Sequence, residues 1–207
     1  MEFTASDVST LNRILRWRRD VRHFRPDPID EPVIARLRAA MDLAPSVGNA
    51  RPWRVIRVDS PALRAAVRTD FSRCNAEAAR TYDGRQHEDY LRLKLAGLDH
   101  APLQLAVFTV SDPAEGHSLG RRSMPDTLSA STNMAIHTLW LAARVENLGL
   151  GMVSILDPKV MEQIFDCPAE WRFSAYLCIG HAECDDDMPL LHRVGWQENH
   201  THPWEIR

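Results

Sequence analysis

The stretch STNMAIHTLWLAAR (131–144) decides the fold. Its apolar residues recur at α-helical spacing, which predicts a helix over about residues 128–147, the longest in the chain. The residues expected on its inner face are Met134, Ile136, Leu139, Trp140 and Leu141. A helix this apolar must be covered on most sides, so the other elements are expected to pack around it.

Apolar runs of strand length predict four strands: WRVIRV (53–58), LQLAVFTV (103–110), LGLGMVSIL (148–156) and RFSAYLCIG (172–180). Four more helices are expected: residues 6–19, from Asp30 to just before Pro45, from Pro61 to about Tyr82, and a short one from Pro158. No repeat or linker divides the chain. The prediction is one α+β domain over residues 1–207, with a mixed central sheet flanked by helices, a polar lid around 83–100 and an irregular tail over 185–207.

Charge and composition argue against several classes of protein. The net charge of −3 creates no overall field that attracts nucleic acid or an anionic membrane. No stretch approaches the ~20 apolar residues of a membrane span, and the N-terminus has no secretion signal, so a cytoplasmic location is expected. The four cysteines lack CxxC spacing and no HExxH is present. Reduced thiols and no metal site are therefore expected.

The stretch RRDVR (18–22) is the first motif with chemical content. Arg18 and Arg22 are four residues apart, so at a helix end they share a face. Two guanidinium groups can hold one phosphate through charge-assisted hydrogen bonds. The alternative is a solvated basic patch in which Asp20 is a simple counter-ion, and for two arginines alone it is the commoner case.

The second motif is PSVGNARPW (45–53). Gly48 permits close approach of the backbone to a planar ligand. Asn49 offers both a donor and an acceptor, as the amide edge of a ring requires. A tight helix-to-strand turn would explain the glycine and the prolines but not the asparagine.

A third motif is the glycine-rich start of the strand LGLGMVSIL. Gly149 and Gly151 allow a backbone to pass close to another group, and the Ser154 hydroxyl could face that space, although a lone serine in a strand is usually structural. The chain has no GxGxxG, no GxxxxGK[ST] and no GxSxG, so a dinucleotide fold, a P-loop and a nucleophile elbow are not supported. A phosphate grip with an amide-binding loop then indicates a phosphorylated, flat cofactor.

Together these motifs resemble those of the nitroreductase flavoprotein family, over about residues 15–196. The landmarks are RRDVR (18–22), APSVG with PW (44–48, 52–53), LKLAGL (93–98), APL (101–103), LGR (119–121), STNMAIHTLWLAAR (131–144) and GMVSILDP (151–158). RRxxR and PW are shared across the family, whereas RRD, LGR and VSI resemble one branch of it. The resemblance implies the nitroreductase-like FMN fold and a homodimer, to which the apolar helix around Trp140 would contribute a face.

That branch uses reduced FMN as its substrate. The resemblance implies an oxidoreductase that fragments reduced FMN with O2 to 5,6-dimethylbenzimidazole, the lower ligand of cobalamin. It also implies no metal, and a separate NAD(P)H-dependent flavin reductase that supplies the reduced FMN. Two alternatives stay open: an NAD(P)H-dependent nitroreductase or flavin reductase that retains FMN, and a flavin-binding protein without turnover.

The resemblance also assigns individual residues. Arg18 and Arg22 would hold the FMN phosphate, with Arg19 beside them. Asp20 matches the catalytic aspartate of the branch, and a carboxylate flanked by cations can accept a proton. The other catalytic matches are Ser154 and Gly48, whose backbone N–H would help to hold dioxygen over the flavin ring. The remaining flavin-binding residues are expected at Ser46, Asn49, Arg51, Gly151 and Ser154.

The chain also departs from the pattern of that branch. Where the branch has PSVGFMQPW, this chain has Asn49, Ala50 and Arg51, and Asn49 is the residue that ordinary nitroreductases use there to bind flavin. The other departures are Leu128 and Ala130 for the Asp and Tyr of PxxDxYST, Ala96 for the Glu of LKLEGI, and Gln197 for the Arg after Gly195–Trp196. A divergent flavin-fragmenting enzyme and a related flavin reaction are therefore both open.

Overall fold

The computed structural model describes residues 1–93 and 97–207, so Ala96 and the middle of the LKLAGL motif lie outside the described residues. The helices of the described part are α1 (Ala5–Trp17), α2 (Glu31–Met41), α3 (Pro61–Ala79), α4 (Gly84–Arg92), α5 (Thr127–Val145), α6 (Pro158–Ile164) and α7 (Leu190–Arg193). The strands are β1 (Trp53–Arg57), β2 (Leu103–Val110), β3 (Gly149–Val153) and β4 (Trp171–Gly180). Short 3-10 turns lie at Val47–Asn49 and Glu115–Ser118.

The four strands form one sheet in the order β1-β2-β4-β3, and each neighbouring pair is antiparallel. The α+β class is confirmed, but the four strands are not mixed in direction. The parallel contribution within the described residues is a single bridge between Asp20 and Leu150. It arises because the chain leaves α1 at Arg18 in an extended conformation (φ −73°, ψ 112°) and then runs beside β3.

The long helix α5 packs on one face of the sheet, as its apolar pattern predicts. Ile136, Leu139 and Ala143 are buried against α2 and the side chains of β2 and β4 that point to this face. Met134 was expected inside but is 40% exposed, because it lies on the other side of the helix from this buried row. Trp140 and Leu141 are only partly buried. The opposite face of the sheet is covered by a second apolar cluster that includes residues of α3 and α6.

Two predicted segments contain short helices. The region expected as a lid begins with α4, where Tyr90 is buried and its hydroxyl donates to Asn75 Oδ1 at 2.8 Å. A helix with so few apolar residues gives a weak periodic signal, which is why it was not predicted. The tail after residue 185 contains the single turn α7. No helix within the described ranges is long and apolar enough to span a membrane.

The glycines that precede the end of β3 make room for the segment that follows α1. A Cβ at Gly151 would lie 2.1 Å from the carbonyl oxygen of Val21, and one at Gly149 would lie 2.6 Å from a methyl group of Val21. The Val21 N–H donates to the Leu150 carbonyl at 3.1 Å. Further along, the Arg25 N–H donates to the His181 carbonyl at 2.9 Å. The close approach that the glycines permit is therefore between the RRDVR segment and the sheet.

We predict that Gly151→Ala lowers the free energy of unfolding by about 1–3 kcal/mol, since the added methyl group would overlap the Val21 carbonyl. Urea denaturation measures this loss. Hydrogen exchange of the Val21 amide should also accelerate, because its bond to Leu150 must open. Gly84→Ala is the control: a Cβ there meets nothing within 4 Å, so any loss comes from its positive φ alone. Unchanged protection of the Val21 amide in Gly151→Ala would contradict the assignment.

Candidate functional site

A cleft lies where the end of α1, the second half of α5 and the residues after β4 meet. Its lining residues from the RRDVR motif are Arg18, Arg19, Asp20, Val21 and Arg22. Trp140 and Arg144 of α5 line it as well, with residues 183–186 opposite. The structure therefore brings together the three arginines and the aspartate that the sequence predicted as one site.

Trp140 holds the start of this motif in place. The guanidinium carbon of Arg18 lies 4.8 Å from the centroid of the Trp140 ring, within range of a cation–π interaction. The indole Nε1–H of Trp140 donates to the Arg19 carbonyl at 3.2 Å. The long helix thus orients the first arginine through both the face and the edge of one side chain.

Asp20 is held from two directions. Its Oδ2 accepts from Arg22 Nε at 2.9 Å, and its Oδ1 accepts from the backbone N–H of Met152 in β3 at 3.0 Å. The side chain of Asp20 is 34% exposed, whereas that of Arg22 is 12% exposed. The carboxylate is therefore fixed in orientation by the sheet and by a neighbouring cation, and it stays accessible from the cleft.

Arg19 differs from its two neighbours. Its Nη1 donates to the Arg18 carbonyl at 2.8 Å, and its Nη2 donates to the Arg16 carbonyl, so the side chain closes the C-terminus of α1. Burial, followed by the adjacent Arg18, lowers the pKa of Arg19. Its Nε atom is buried without a hydrogen-bond partner among the described residues. Arg19 therefore adds positive charge to the cleft while its terminal nitrogens bind the backbone.

Two residues of the acidic run Asp185–Asp187, Asp185 and Asp186, line the cleft, and each carboxylate of the run is paired with an arginine. The pairs are Arg144 with Asp185 at 2.6 Å, Arg193 with Asp186, and Arg16 with Asp187 at 2.8 Å. These ion pairs neutralise the three carboxylates of this run. The aspartates of this run therefore do not cancel the positive charge of Arg18 and Arg22.

The PSVGN loop lies outside the cleft that contains Asp20, beside the first half of α5. The Val47 N–H donates to Ser131 Oγ at 3.0 Å, and the Ser46 Oγ accepts from the Arg51 N–H at 3.0 Å. Gly48 and Asn49 both have φ near 55°, and a Cβ at Gly48 would lie 3.0 Å from the Gly116 carbonyl oxygen. The loop is therefore a tight turn packed against residues 116–119, and Asn49 remains exposed.

Arg51 contributes to the same turn. Its Nη2 donates to the Asp42 carbonyl beyond the end of α2, and its guanidinium carbon lies 6.0 Å from the Trp53 ring centroid. Ser131, which anchors the loop, precedes Trp140 by nine residues of α5, or roughly 13 Å along the helix axis. Within one chain, Ser46, Gly48, Asn49 and Arg51 consequently do not line the cleft that contains Asp20.

Of the two residues predicted in this stretch, Gly151 lies in β3, the strand that binds Asp20, and Ser154 lies just beyond the end of that strand. Ser154 directly follows β3, is exposed, and lies two residues beyond the Met152 amide, or roughly 6–7 Å along the strand. Gly151 lies beneath the Val21 carbonyl, so the RRDVR segment covers its backbone on that side. Within the described residues, no group of three or more His, Cys, Asp or Glu side chains could hold a metal ion.

Two contributors to the site were not assigned a role from the sequence. Trp140 was expected as a core residue and as part of the helix face that packs against a second copy. Its separation from the arginines, more than 110 positions in the chain, gives no local signal of a contact with them. The Met152 N–H is a backbone group, so its side chain carries no indication of the contact. Both depend on how α5 and β3 approach the RRDVR segment.

Comparison with known proteins gives full-length relatives. The chain is 66% identical over 207 residues to the 5,6-dimethylbenzimidazole synthase of Rhodobacter capsulatus, covering all of both chains. It is 54% identical over 201 residues to the 5,6-dimethylbenzimidazole synthase of Rhodospirillum rubrum, covering 97% of this chain and 95% of the relative.

A solved structure of iodotyrosine deiodinase bound to FMN and 3-iodo-L-tyrosine has the same fold, with a TM-score of 0.73 at 22% identity, covering 95% of this chain and 97% of that one. The family model described as the nitroreductase family matches residues 15–181. The resemblance predicted from the motifs is therefore confirmed. This chain belongs to the nitroreductase family.

Proposed function

We propose that this chain binds reduced FMN and, with dioxygen, fragments it to 5,6-dimethylbenzimidazole, the lower ligand of cobalamin. The observation that carries the proposal is the Asp20 carboxylate, held between Arg22 and the Met152 amide in a cleft lined by arginines. The full-length similarity to the 5,6-dimethylbenzimidazole synthases of two bacteria supports it. An NAD(P)H-dependent nitroreductase is the alternative, favoured by the exposed Asn49.

The residues of the cleft fit an FMN phosphate. Arg18 is oriented by Trp140, Arg22 is largely buried beside Asp20, and Arg19 has a buried, unpartnered Nε in the described part of the chain. Guanidinium groups in such an arrangement bind phosphate through charge-assisted hydrogen bonds. When bound, reduced FMN supplies electrons to dioxygen and is itself the molecule that is consumed.

Asp20 has the role of proton acceptor in this proposal. Its two hydrogen bonds fix both carboxylate oxygens, and its remaining exposed surface faces the cleft where the ribityl phosphate would lie. A fixed carboxylate within reach of a C–H or O–H group acts as a general base. Ser154, just beyond the end of β3, and the backbone N–H of Gly48 would hold substrate and dioxygen near the flavin ring.

The separation of the two parts of the site supports a homodimer. The PSVGN loop and the RRDVR segment lie about 13 Å apart along α5, and the loop does not line the cleft that contains Asp20. The helix α1 has an apolar stripe, Val8, Leu11 and Leu15, with 56%, 51% and 42% exposure, and it contains no buried residue. An unburied stripe on an amphipathic helix suits a second copy of the chain. Trp140, in contrast, contacts Arg18 and Arg19 of its own chain.

The proposal includes three further expectations. The segment expected as a lid, around residues 83–100, would cover the flavin with its described part, in which α4 is held by stacking of Tyr82 on Tyr90 (centroids 4.9 Å apart) and by the contact of Trp196 with both rings. The tail beyond residue 185 adds the second wall of the cleft. A separate NAD(P)H-dependent flavin reductase in the cytoplasm supplies the reduced FMN.

The main test is product analysis after aerobic incubation with excess reduced FMN, for wild type and Asp20→Asn. We expect wild type to form 5,6-dimethylbenzimidazole and Asp20→Asn to form about 10²–10⁴ times less, since a general base is removed. Asparagine retains an oxygen that accepts from the Met152 N–H, so the segment stays in place. FMN binding should persist, and oxidation of reduced FMN to ordinary FMN should continue.

Asp27→Asn is the matched control, because Asp27 pairs with Arg25 at 3.7 Å outside the cleft. Its product yield should equal that of wild type. An Asp20→Asn yield within twofold of wild type would show that Asp20 is only a counter-ion. NAD(P)H-driven reduction of a nitroaromatic by wild type, without benzimidazole, would support the nitroreductase alternative instead.

The second prediction concerns the phosphate. Arg18→Ala and Arg22→Ala should each weaken FMN binding by about 1.5–3 kcal/mol, the range for a hydrogen bond to a charged group. Trp140→Leu should weaken it too, and Trp140→Phe less, because phenylalanine keeps an aromatic face under Arg18. Riboflavin, which has no phosphate, is the control ligand in the same fluorescence titrations. Equal losses for riboflavin and FMN would contradict the phosphate assignment.

The third prediction concerns the dimer. Leu11→Glu should shift the chain to a monomer in sedimentation velocity at micromolar concentration, because it places a charge in the apolar stripe of α1. FMN affinity should fall with it. Arg13→Glu, on the polar side of the same helix, is the control and should remain dimeric. A wild-type monomer that binds FMN fully would overturn the proposed shared site.

A further inference from the structure

A second cavity lies at the opposite end of α5 from the cleft. It is bounded by the end of β2, the loop over residues 118–126, the first turn of α5 and Arg172 of β4. Its polar lining consists of three arginines, four hydroxyl groups and two carboxylates, namely Arg121, Arg122, Arg172, Thr109, Ser111, Ser118, Ser129, Asp112 and Asp126. Leu128 precedes Trp140 by twelve residues, so this cavity is roughly 18 Å from the Arg18 cleft along the helix.

Arg121 is the least exposed of the three arginines, with only 11% of its side chain accessible. Its Nη2 donates to Ser118 Oγ at 3.0 Å and pairs with Asp112 at 2.9 Å. Its Nη1 is buried and has no hydrogen-bond partner in the described part of the chain. A buried guanidinium N–H without an acceptor is costly, so an acceptor that enters the cavity would be favoured.

The lining of the cavity has more positive than negative side chains, with three arginines and two carboxylates. The two carboxylates in its lining belong to Asp112, which is 86% exposed, and Asp126. Leu128, which is 6% exposed, also lines it. The N-terminus of the 19-residue α5 is directed to the same space, and its dipole adds positive potential.

We propose that this cavity binds a phosphate group, either as inorganic phosphate or on a small phosphate monoester. Arg121 and Arg122 of the 118–122 loop, the Ser129 hydroxyl at the start of α5 and Arg172 of β4 border the same space, which suits a tetrahedral anion with four acceptor oxygens better than a planar carboxylate. The Thr109 and Ser111 hydroxyls already donate to Thr132 Oγ1 and to the Glu170 carbonyl. The site is distinct from the cleft that we assign to the FMN phosphate. It goes beyond the proposed function and does not depend on it.

The test is isothermal titration calorimetry at low ionic strength on protein saturated with FMN, with inorganic phosphate and glycerol 3-phosphate as separate probes. We expect one saturable site per chain. Tighter binding of the monoester would identify a phosphorylated metabolite as the ligand, and tighter binding of inorganic phosphate would identify the free anion. Absence of saturable binding by both probes would overturn the proposal.

Comparison of Leu128→Asp with Leu128→Asn distinguishes the effect of an added negative charge on phosphate binding from the effect of altered packing. Both place a polar group at the same buried position, but only aspartate supplies an internal anion for Arg121. We expect Leu128→Asp to weaken phosphate binding at least about tenfold relative to Leu128→Asn. Thermal unfolding verifies that the two variants are equally folded. Equal phosphate affinity in the two folded variants would contradict the site.

Arg122→Gln is a second variant that does not disturb the core, since Arg122 is exposed. It should also lower the affinity for the preferred probe by about tenfold. Arg38→Gln, an exposed arginine on α2 outside the cavity, is the matched control and should bind as wild type does. Equal effects of the two arginine variants would indicate only non-specific attraction between anions and surface charge, and would overturn the proposal.

Discussion

The contact between the RRDVR segment and β3 is the constraint on which the rest of the site depends. Val21 donates to Leu150, Asp20 accepts from the Met152 amide, and Gly149 and Gly151 leave no side chain in the way. This contact ends α1, turns the chain into an extended path and directs three arginines to one cleft. Asp20 is therefore both a structural link and the proposed proton acceptor. The two roles are compatible because its carboxylate keeps its accessible surface on the cleft side.

The helix α5 contacts both parts of the proposed flavin site and the second cavity. Its second half orients Arg18 through Trp140, its first half anchors the PSVGN loop through Ser131, and its N-terminus faces the arginine-lined second cavity. Its buried row joins it to the sheet, so these positions are held at fixed distances from one another. The same rigidity separates the two parts of the proposed flavin site within one chain.

Much of the fold could be predicted from the sequence because strong periodicity decides it. The strand at 103–110 has the predicted bounds, and α5 begins and ends within two residues of the prediction. Met134 was misplaced because a helix that is apolar on several sides does not define which side faces the core. The grouping of Arg18, Asp20 and Arg22 follows from their proximity in the chain.

The rest of the site depends on contacts that have no pattern in the sequence. The Met152 amide is a backbone donor, and Trp140 reaches the arginines only through tertiary packing. Arg19 and Arg51 were both expected to bind the flavin, yet their terminal nitrogens bind the carbonyls at the ends of α1 and α2. A sequence shows that a cationic side chain is present but not which hydrogen-bond acceptor it contacts.

The segment that follows α1 has one more consequence, for how copies of this chain can meet. It occupies the outer side of β3, so β3 presents no free row of amides for another strand. At the other end of the sheet, β1 has only five residues, and its Arg57 is paired with Glu31 and Asp59. Short, charged edge strands resist pairing with a second chain. Within the described residues, both edges of the sheet therefore disfavour β-aggregation.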